Sequence, residues 1–127
     1  METKQYLCTC KPEAMEHRTI KLIMSDEAKV FVRQQDEKTR KKIMYNIRRL
    51  ESGIMDKELF KKLGGTDIWE LRTLYNGTCY RLFSFWDTEA ETLVVATHGI
   101  VKKTQKTPKN EIEKAEAIRK EYFKYKR

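Results

Sequence analysis

The stretch of sequence that decides the fold is residues 67–108, DIWELRTLYNGTCYRLFSFWDTEAETLVVATHGIVKKTQKTP. It contains three successive runs rich in β-branched and aromatic residues, which predict three strands. The runs occupy residues 68–75, 78–86 and 91–98. Asn76 and Gly77 separate the first two runs and predict a tight hairpin, because both positions of such a turn favour a positive φ. Residues 87–90 separate the second run from the third, so the stretch predicts an antiparallel meander.

One short strand and two helices are predicted before this meander. Residues 19–24 form a short, mostly apolar run that predicts a strand, and Ser25 or Asp26 suits the N-cap of a following helix. Asp36 suits the N-cap of a second helix, in which apolar residues recur at 3.6-residue spacing. Those residues are Ile43, Met44, Ile47, Leu50 and Ile54. The two helices, over residues 26–52, predict a hairpin whose apolar face packs on the sheet.

The remaining elements complete the order β-α-α-β-β-β-α. Residues 56–63 predict a helical turn before the meander. Pro108 predicts the start of a last helix that runs to about residue 125, because proline suits the first helical position. We expect one α+β domain over residues 1–127, with an antiparallel twisted sheet, the helical hairpin on one face and a C-terminal helix. Residues 1–17 are an N-terminal extension to which the sequence assigns no role.

Side chains alternate between the two faces of a sheet along each strand. Four residues are expected on the face that the helical hairpin covers: Trp69, Leu71, Tyr80 and Leu82. Arg72 and Arg81 then lie together on the opposite face, and Lys102 and Lys103 follow the third strand at the same end of the sheet. We call these four basic residues the cationic cup. It predicts a surface for a polyanion.

The residues around the cationic cup allow more than one interpretation. Phe83 offers a stacking platform within the cup, whereas Phe85 fits better in the core beneath the last helix. Glu70 and Arg72 form either a surface ion pair, which contributes little to stability, or part of a site. His98 is the only histidine near the cup. A lone histidine at a strand end is more often structural than a proton-transfer group.

Composition and charge limit the class of protein. The 127 residues suffice for one compact domain with an ordinary core, and the formal net charge is +8. This excess points to a polyanionic partner, with nucleic acid the first candidate and an acidic protein the second. No apolar run approaches the ~20 residues of a membrane span, and no signal peptide opens the chain. We therefore expect a cytoplasmic protein without a membrane partner.

The cysteines predict neither a disulfide framework nor a metal site. There are three of them, Cys8, Cys10 and Cys79, and such a small odd number in a cytosolic chain favours free thiols. Cys8 and Cys10 with His17 nearby fit no common zinc-binding spacing and lack a fourth ligand. Cys79 lies inside a predicted strand, where it acts most simply as a small apolar residue.

Three motifs carry a resemblance to a known family. They are WELR at residues 69–72, YRL at 80–82 and HGIVKKTQKTPKNEIEKA at 98–115. As a set they resemble the phage-derived Gp49-like branch of HigB toxins, in the RelE/ParE superfamily of type II toxin–antitoxin systems, over residues 19–123. The resemblance implies a RelE/ParE-like fold and a ribosome-dependent mRNA endonuclease that inhibits translation and growth. The superfamily also contains gyrase-inhibiting ParE members, so a non-catalytic inhibitor of gyrase or another protein is the alternative.

Cleavage of this kind uses the 2′-OH beside the scissile phosphate as nucleophile, so it calls for no metal ion and no other cofactor. Arg81 and Arg72 suit charge stabilisation, because guanidinium groups bind phosphate oxygens in a fixed fork. Proton transfer has four candidates. They are Lys102, Lys103, Glu70 and His98.

The resemblance also implies macromolecular partners: a cognate antitoxin, and the ribosome with its mRNA. Phe83 and Lys106 are candidates for contact with the cleaved RNA. Further basic residues on the second predicted helix are candidates for docking on ribosomal RNA through its phosphates. These are Lys41, Lys42, Arg48 and Arg49.

Overall fold

The computed structural model describes residues 20–87, 89, 93–102 and 106–126. Of the residues singled out above, four lie outside these ranges. They are Cys8, Cys10, His17 and Lys103.

The described chain folds as a five-stranded sheet with three helices. Its elements are β1 (Lys21–Met24), α1 (Asp26–Arg33), α2 (Glu37–Glu51), β2 (Phe60–Lys62), β3 (Trp69–Tyr75), β4 (Thr78–Asp87), β5 (Leu93–Lys102) and α3 (Lys109–Tyr125). The strand order across the sheet is β1-β5-β4-β3-β2. β1 runs parallel to β5, and every other neighbouring pair is antiparallel. The predicted α+β class is confirmed and is consistent with a RelE-like fold. The expectation of a wholly antiparallel sheet is wrong for β1, whose parallel pairing with β5 makes the sheet mixed.

The helix caps and the hairpin turn that the sequence predicts are present in the structure. The Ser25 side chain accepts a hydrogen bond from the Ala28 N–H at 3.1 Å and so caps α1. Asp36 caps α2 in the same way, with 2.8 Å to the Thr39 N–H. Asn76 and Gly77 have φ values of 55° and 78°, which is the geometry of the predicted tight hairpin turn.

Two elements differ from the prediction. Residues 60–62 form the edge strand β2 instead of part of a helical turn, because Phe60 pairs with Leu71 and stacks on Trp69 with 4.8 Å between ring centroids. β5 continues to Lys102, four residues beyond the predicted end. At Gly99, within this extension, a Cβ would lie 2.3 Å from the Phe31 ring. The glycine therefore lets α1 pack closely on an unbroken strand.

Each face of the sheet carries its own core. The helical hairpin covers one face, where Leu71 and Leu82 are buried and Trp69 and Tyr80 are half-buried at the margin. α3 covers part of the other face with a smaller apolar cluster. Its buried members are Ile68, Phe83, Phe85, Val95 and Ala115. The predicted division of the faces is confirmed. None of the helices that the structure describes is long and apolar enough to cross a membrane.

Alanine substitutions on β3 test this division of faces. Leu71 is buried in the larger core, so Leu71→Ala should lower the free energy of unfolding by about 3 kcal/mol. Leu74 lies on the opposite face of the same strand and is 70% exposed. Leu74→Ala is the matched control and should change that free energy by less than about 0.5 kcal/mol. Urea titrations measure both values, and equal losses would contradict the assigned faces.

Candidate functional site

The register of the sheet assembles the predicted site residues on the face that α3 partly covers. Cross-strand neighbours form three rows on this face. The rows are Lys61–Glu70–Phe83–His98, Arg72–Arg81–Ile100 and Leu74–Cys79–Lys102. The cationic cup is thereby brought together in its described members Arg72, Arg81 and Lys102. The first row also adds the exposed Lys61, which sequence reasoning missed because it extended the helical turn at 56–63 over the residues of β2.

A buried carboxylate organises the two arginines. Nη1 of Arg81 lies 3.1 and 3.3 Å from the two oxygens of Glu70, and Nε of Arg72 lies 3.2 Å from one of them. Thr107, just before α3, donates its hydroxyl to Glu70 and lies 2.8 Å from Nη1 of Arg81. We call these four residues the Glu70 cluster. It contains two positive charges and one negative charge, so a net positive charge remains for an anion.

The members of the Glu70 cluster differ in access to solvent. Glu70 is fully buried and Arg81 is 4% exposed, whereas the Arg72 side chain is 26% exposed. Burial tends to lower the pKa of Arg81, but the hydrogen bond with the Cys79 side chain and the charge of Glu70 outweigh it and raise that pKa. Arg81 is therefore a fixed charge beneath the surface, and Arg72 is the arginine that a phosphate can reach.

This geometry gives Glu70 a different role from the general base considered above. Both of its oxygens already accept hydrogen bonds from arginine or threonine side chains. A carboxylate held in this way stabilises the neighbouring guanidinium groups and is poorly placed to remove a proton from RNA.

Lys102 is the lysine of the cationic cup that the structure describes. It is the last residue of β5, pairs across the sheet with Cys79 and is half-buried. Its Nζ donates a hydrogen bond to the carbonyl oxygen of Lys106. Lys106 itself is exposed. The strand therefore fixes the backbone of Lys102, which the sequence had placed in the segment beyond it.

Phe83 does not offer the stacking platform that the sequence suggested. Its side chain is fully buried in the α3 core, and its ring centroid lies 4.9 Å from that of His98. α3 brings Ala115 into the same apolar cluster, which leaves no space for a base. Phe85 is also buried there, as expected.

His98 is buried and links β5 to α3. Its Nε2 lies 2.9 Å from Glu111 and its Nδ1 lies 3.0 Å from the Thr97 hydroxyl. Burial lowers the pKa of His98 below its ordinary value, although the hydrogen bond to Glu111 opposes the shift. A neutral ring carries one N–H, and Nε2 beside the Glu111 carboxylate is the nitrogen that donates it. These contacts favour the structural role over proton transfer.

The basic residues of α2 lie on the other side of the sheet from the cationic cup. Lys41 and Arg48 are exposed, whereas Lys42 and Arg49 lie over the Tyr45 ring at 5.2 and 5.8 Å from its centroid. They belong to the layer formed by the helical hairpin, so the structure does not bring them to the cup. A ribosome-docking role for them remains a prediction.

Sequence reasoning missed Thr107 and Glu111 as partners of site residues. Thr107 is 37 residues from Glu70, and Glu111 is 13 residues from His98. Pro108 predicted the start of a helix here. The sequence pattern around it does not indicate which strand residues the start of that helix contacts.

A double-mutant cycle tests the Glu70 cluster. Arg81→Met and Glu70→Met should each lower the free energy of unfolding by about 3–5 kcal/mol, because each leaves a buried charge without its main partner. The double variant should lose less than the larger single loss, because both buried charges are then absent. Urea unfolding of the four proteins measures the coupling. Additive losses would show that the two side chains do not stabilise each other.

The pH dependence of stability tests the placement of His98. Its pKa is lowered in the folded chain, so the unfolded chain binds the proton more readily as the pH falls below about 6.5. Stability should therefore decrease between about pH 7.5 and 5.5, and His98→Gln should reduce this decrease. Glu111, Lys114 and Glu27 face the ring and are retained in both proteins. An identical pH profile for the two proteins would contradict the assignment.

Comparisons with known proteins identify a family for this chain. The sequence profile of the phage-derived Gp49-like protein family matches residues 30–120, a range that contains the whole Glu70 cluster. A comparison with curated proteins gives no significant match. The family is associated with the toxins of toxin–antitoxin systems. The match spans most of the chain, from α1 into α3, and the chain belongs to the phage-derived Gp49-like protein family.

Proposed function

We propose that this chain is a HigB-type toxin that cleaves mRNA on the ribosome and thereby inhibits translation and growth. The observation that carries the proposal is the cross-strand pairing of Arg72 with Arg81, one row from Lys102, around a single buried carboxylate. This arrangement supports binding of a phosphodiester by preorganised cations. The family supports the coarser conclusion that the chain is a toxin with an antitoxin partner.

The proposed reaction needs only groups of the substrate and of this site. The 2′-oxygen attacks the adjacent phosphorus, the bond from phosphorus to the 5′-oxygen breaks, and a 2′,3′-cyclic phosphate forms. The 2′-OH loses its proton during the attack, and the leaving 5′-oxygen gains one. Negative charge accumulates on the phosphate oxygens in the transition state. Positive groups held in position before the reaction stabilise this charge without reorganisation.

Arg72 is the proposed contact with the phosphate. Nε of Arg72 donates to Glu70, and the Arg72 side chain is partly exposed. The two terminal nitrogens of Arg72 can therefore contact an anion at the surface. Arg81 is nearly buried beneath it and is assigned the part of a positioning charge that acts through Glu70. A fixed charge in a poorly solvated environment acts more strongly than the same charge in water.

Proton transfer is assigned to the lysines of the cationic cup. Lys102 is half-buried at the end of β5, and it lies one row from Arg81. Lys103 stays a sequence-based candidate for the same task. With Glu70 held by arginines and His98 by Glu111, lysine is the remaining described candidate that the substrate can approach.

A cleavage assay with one surface variant tests the site. Arg72→Ala should lower the rate of cleavage of ribosome-bound mRNA by about 10²-fold, on the scale of losing one donor to the transition state. Arg72→Lys should restore only part of the rate, because an ammonium group cannot reproduce the fork of a guanidinium. Purified proteins and a single stalled message give the rates.

Lys62→Ala is the matched control. This variant also removes one positive charge from an exposed position, here on the neighbouring edge strand β2. Lys62 pairs with Trp69, so its side chain lies on the face of the sheet opposite the cationic cup. It should cleave at the wild-type rate.

A folded Arg72→Ala protein with undiminished cleavage would remove this face from the mechanism. Growth arrest with a DNA-damage response and intact messages would instead favour the gyrase-inhibitor alternative.

A further inference from the structure

An apolar patch lies beside the cationic cup, at the open end of the same face of the sheet. The row Leu74–Cys79–Lys102 borders the row that contains Arg72 and Arg81. Leu74 is 70% exposed, the highest value among the large apolar residues that the structure describes, and Cys79 is half-buried. We call Leu74 and Cys79 the apolar shelf. Single exposed leucines are common, so it is the position next to the proposed phosphate site that calls for an explanation.

Packing within the described chain does not account for the exposed leucine of the apolar shelf. The core beneath α3 is built around Phe83 and extends, through partly buried members, as far as Ile100 in the arginine row. Leu74 belongs to neither hydrophobic cluster of the described residues. The hairpin turn that follows depends on the positive φ values of Asn76 and Gly77. The leucine is therefore available for contact with a ligand.

The spacing along β3 places the apolar shelf within one nucleotide of the proposed phosphate contact. Leu74 follows Arg72 by two residues on the same face of the strand, so their Cα atoms lie about 7 Å apart. A nucleobase is joined to its own phosphate through a single ribose. A nucleotide whose phosphate contacts Arg72 can therefore lay its base on Leu74. Lys102 borders the other side of the shelf, across the sheet from Cys79.

The chemistry of the apolar shelf fits a flat apolar ring that carries a nearby negative charge. Leu74 offers only aliphatic groups, and the Cys79 side chain is already hydrogen-bonded with Arg81. These two side chains contact the face of a base and do not read the hydrogen-bonding groups at its edge. Arg72 and Lys102 on either side favour an anion beside the apolar surface. A nucleotide combines both features, and the π-face of any base suits such a contact.

We propose that Leu74, with Cys79 beside it, contacts the base of one of the two nucleosides joined by the scissile phosphate and favours a purine there, with adenine and guanine treated alike. The two rings of a purine cover more apolar surface than the single ring of a pyrimidine. The inference rests on the proposed nuclease function. It assigns to the apolar shelf the base contact that Phe83, buried beneath α3, does not make. Leu74 is then a residue that determines specificity, whereas Arg72 stabilises the transition state.

Leucine methyl NMR tests the contact without any need for cleavage. Two probes are compared: 2′-deoxyadenosine 3′,5′-bisphosphate, which lacks the nucleophilic 2′-OH, and inorganic phosphate, which supplies the anion alone. In the full chain labelled at its leucine methyls, the nucleotide should shift the Leu74 signals through the ring current of the base. Inorganic phosphate should shift the Nε signal of Arg72 without moving those methyls. Leu22, half-buried on the edge strand β1, should respond to neither probe and is the internal control.

Single-turnover cleavage of ribosome-bound messages tests the preference. Two sets of four messages differ only in the base on one or the other side of the scissile phosphate. At one of these positions the wild-type chain should cut the A and G messages at equal rates, about fivefold faster than the U and C messages.

Variants of Leu74 should change this ratio without loss of the fold, because the side chain lies outside both cores. Leu74→Ala should reduce the ratio to less than about twofold, and Leu74→Met, which keeps the apolar contact area, should restore most of it. Val101→Ala is the matched control. Val101 is 50% exposed at the same end of the sheet but pairs with Tyr80 on the opposite face, so its variant should keep the wild-type ratio.

Three results would overturn the proposal. The Leu74 methyls would respond equally to nucleotide and inorganic phosphate, or to neither. The Leu74→Ala protein would keep the wild-type ratio. It would lose the same factor on all four messages, which would show that the side chain maintains the site and does not contact a base. A wild-type chain that cleaves no message would instead contradict the nuclease proposal, and the methyl shifts would still decide whether the shelf contacts a base.

Discussion

The buried carboxylate of Glu70 is the constraint on which the site depends. A charge removed from water is tolerated only when it is paired and hydrogen-bonded, and here Arg81, Arg72 and Thr107 meet that requirement. The same contacts join β3 to β4 and both strands to the segment before α3. They also hold two guanidinium groups on one face against their mutual repulsion. The carboxylate thus determines both the local packing and the positive surface.

α3 completes this arrangement because it is fastened near both ends. At its N-terminal end Glu111 meets His98. Near its C-terminal end, Tyr122 and Lys126 bond Asp87 of β4 at 2.8 and 2.7 Å. Burial alone would raise the pKa of Asp87, but the hydrogen bonds from Lys126 and Tyr122 keep it below its ordinary value. A helix anchored in this way buries Phe83 and leaves the Arg72 end of the sheet open.

Local and periodic features were predictable from the sequence, whereas the partners of buried polar groups were not. Alternation along β3 and β4 placed Leu71 and Arg72 on the correct faces, and Asn76-Gly77 set the register that pairs Arg72 with Arg81. The burial of Glu70 and Phe83 depends on where α3 lies, which is decided by contacts across 13 to 37 residues. Residues 60–62 became a strand through pairing with β3, which overrides local propensity.

The chemistry of the RNA ends tests the central claim most directly. Purified chain is incubated with ribosomes stalled on one message, and the new 3′ and 5′ termini are identified. Attack by the 2′-OH on a phosphodiester held at the cationic cup predicts 2′,3′-cyclic phosphate and 5′-hydroxyl ends, at positions set by the ribosome and absent when ribosomes are omitted. Intact message, or ends that carry a 5′-phosphate, would contradict this account.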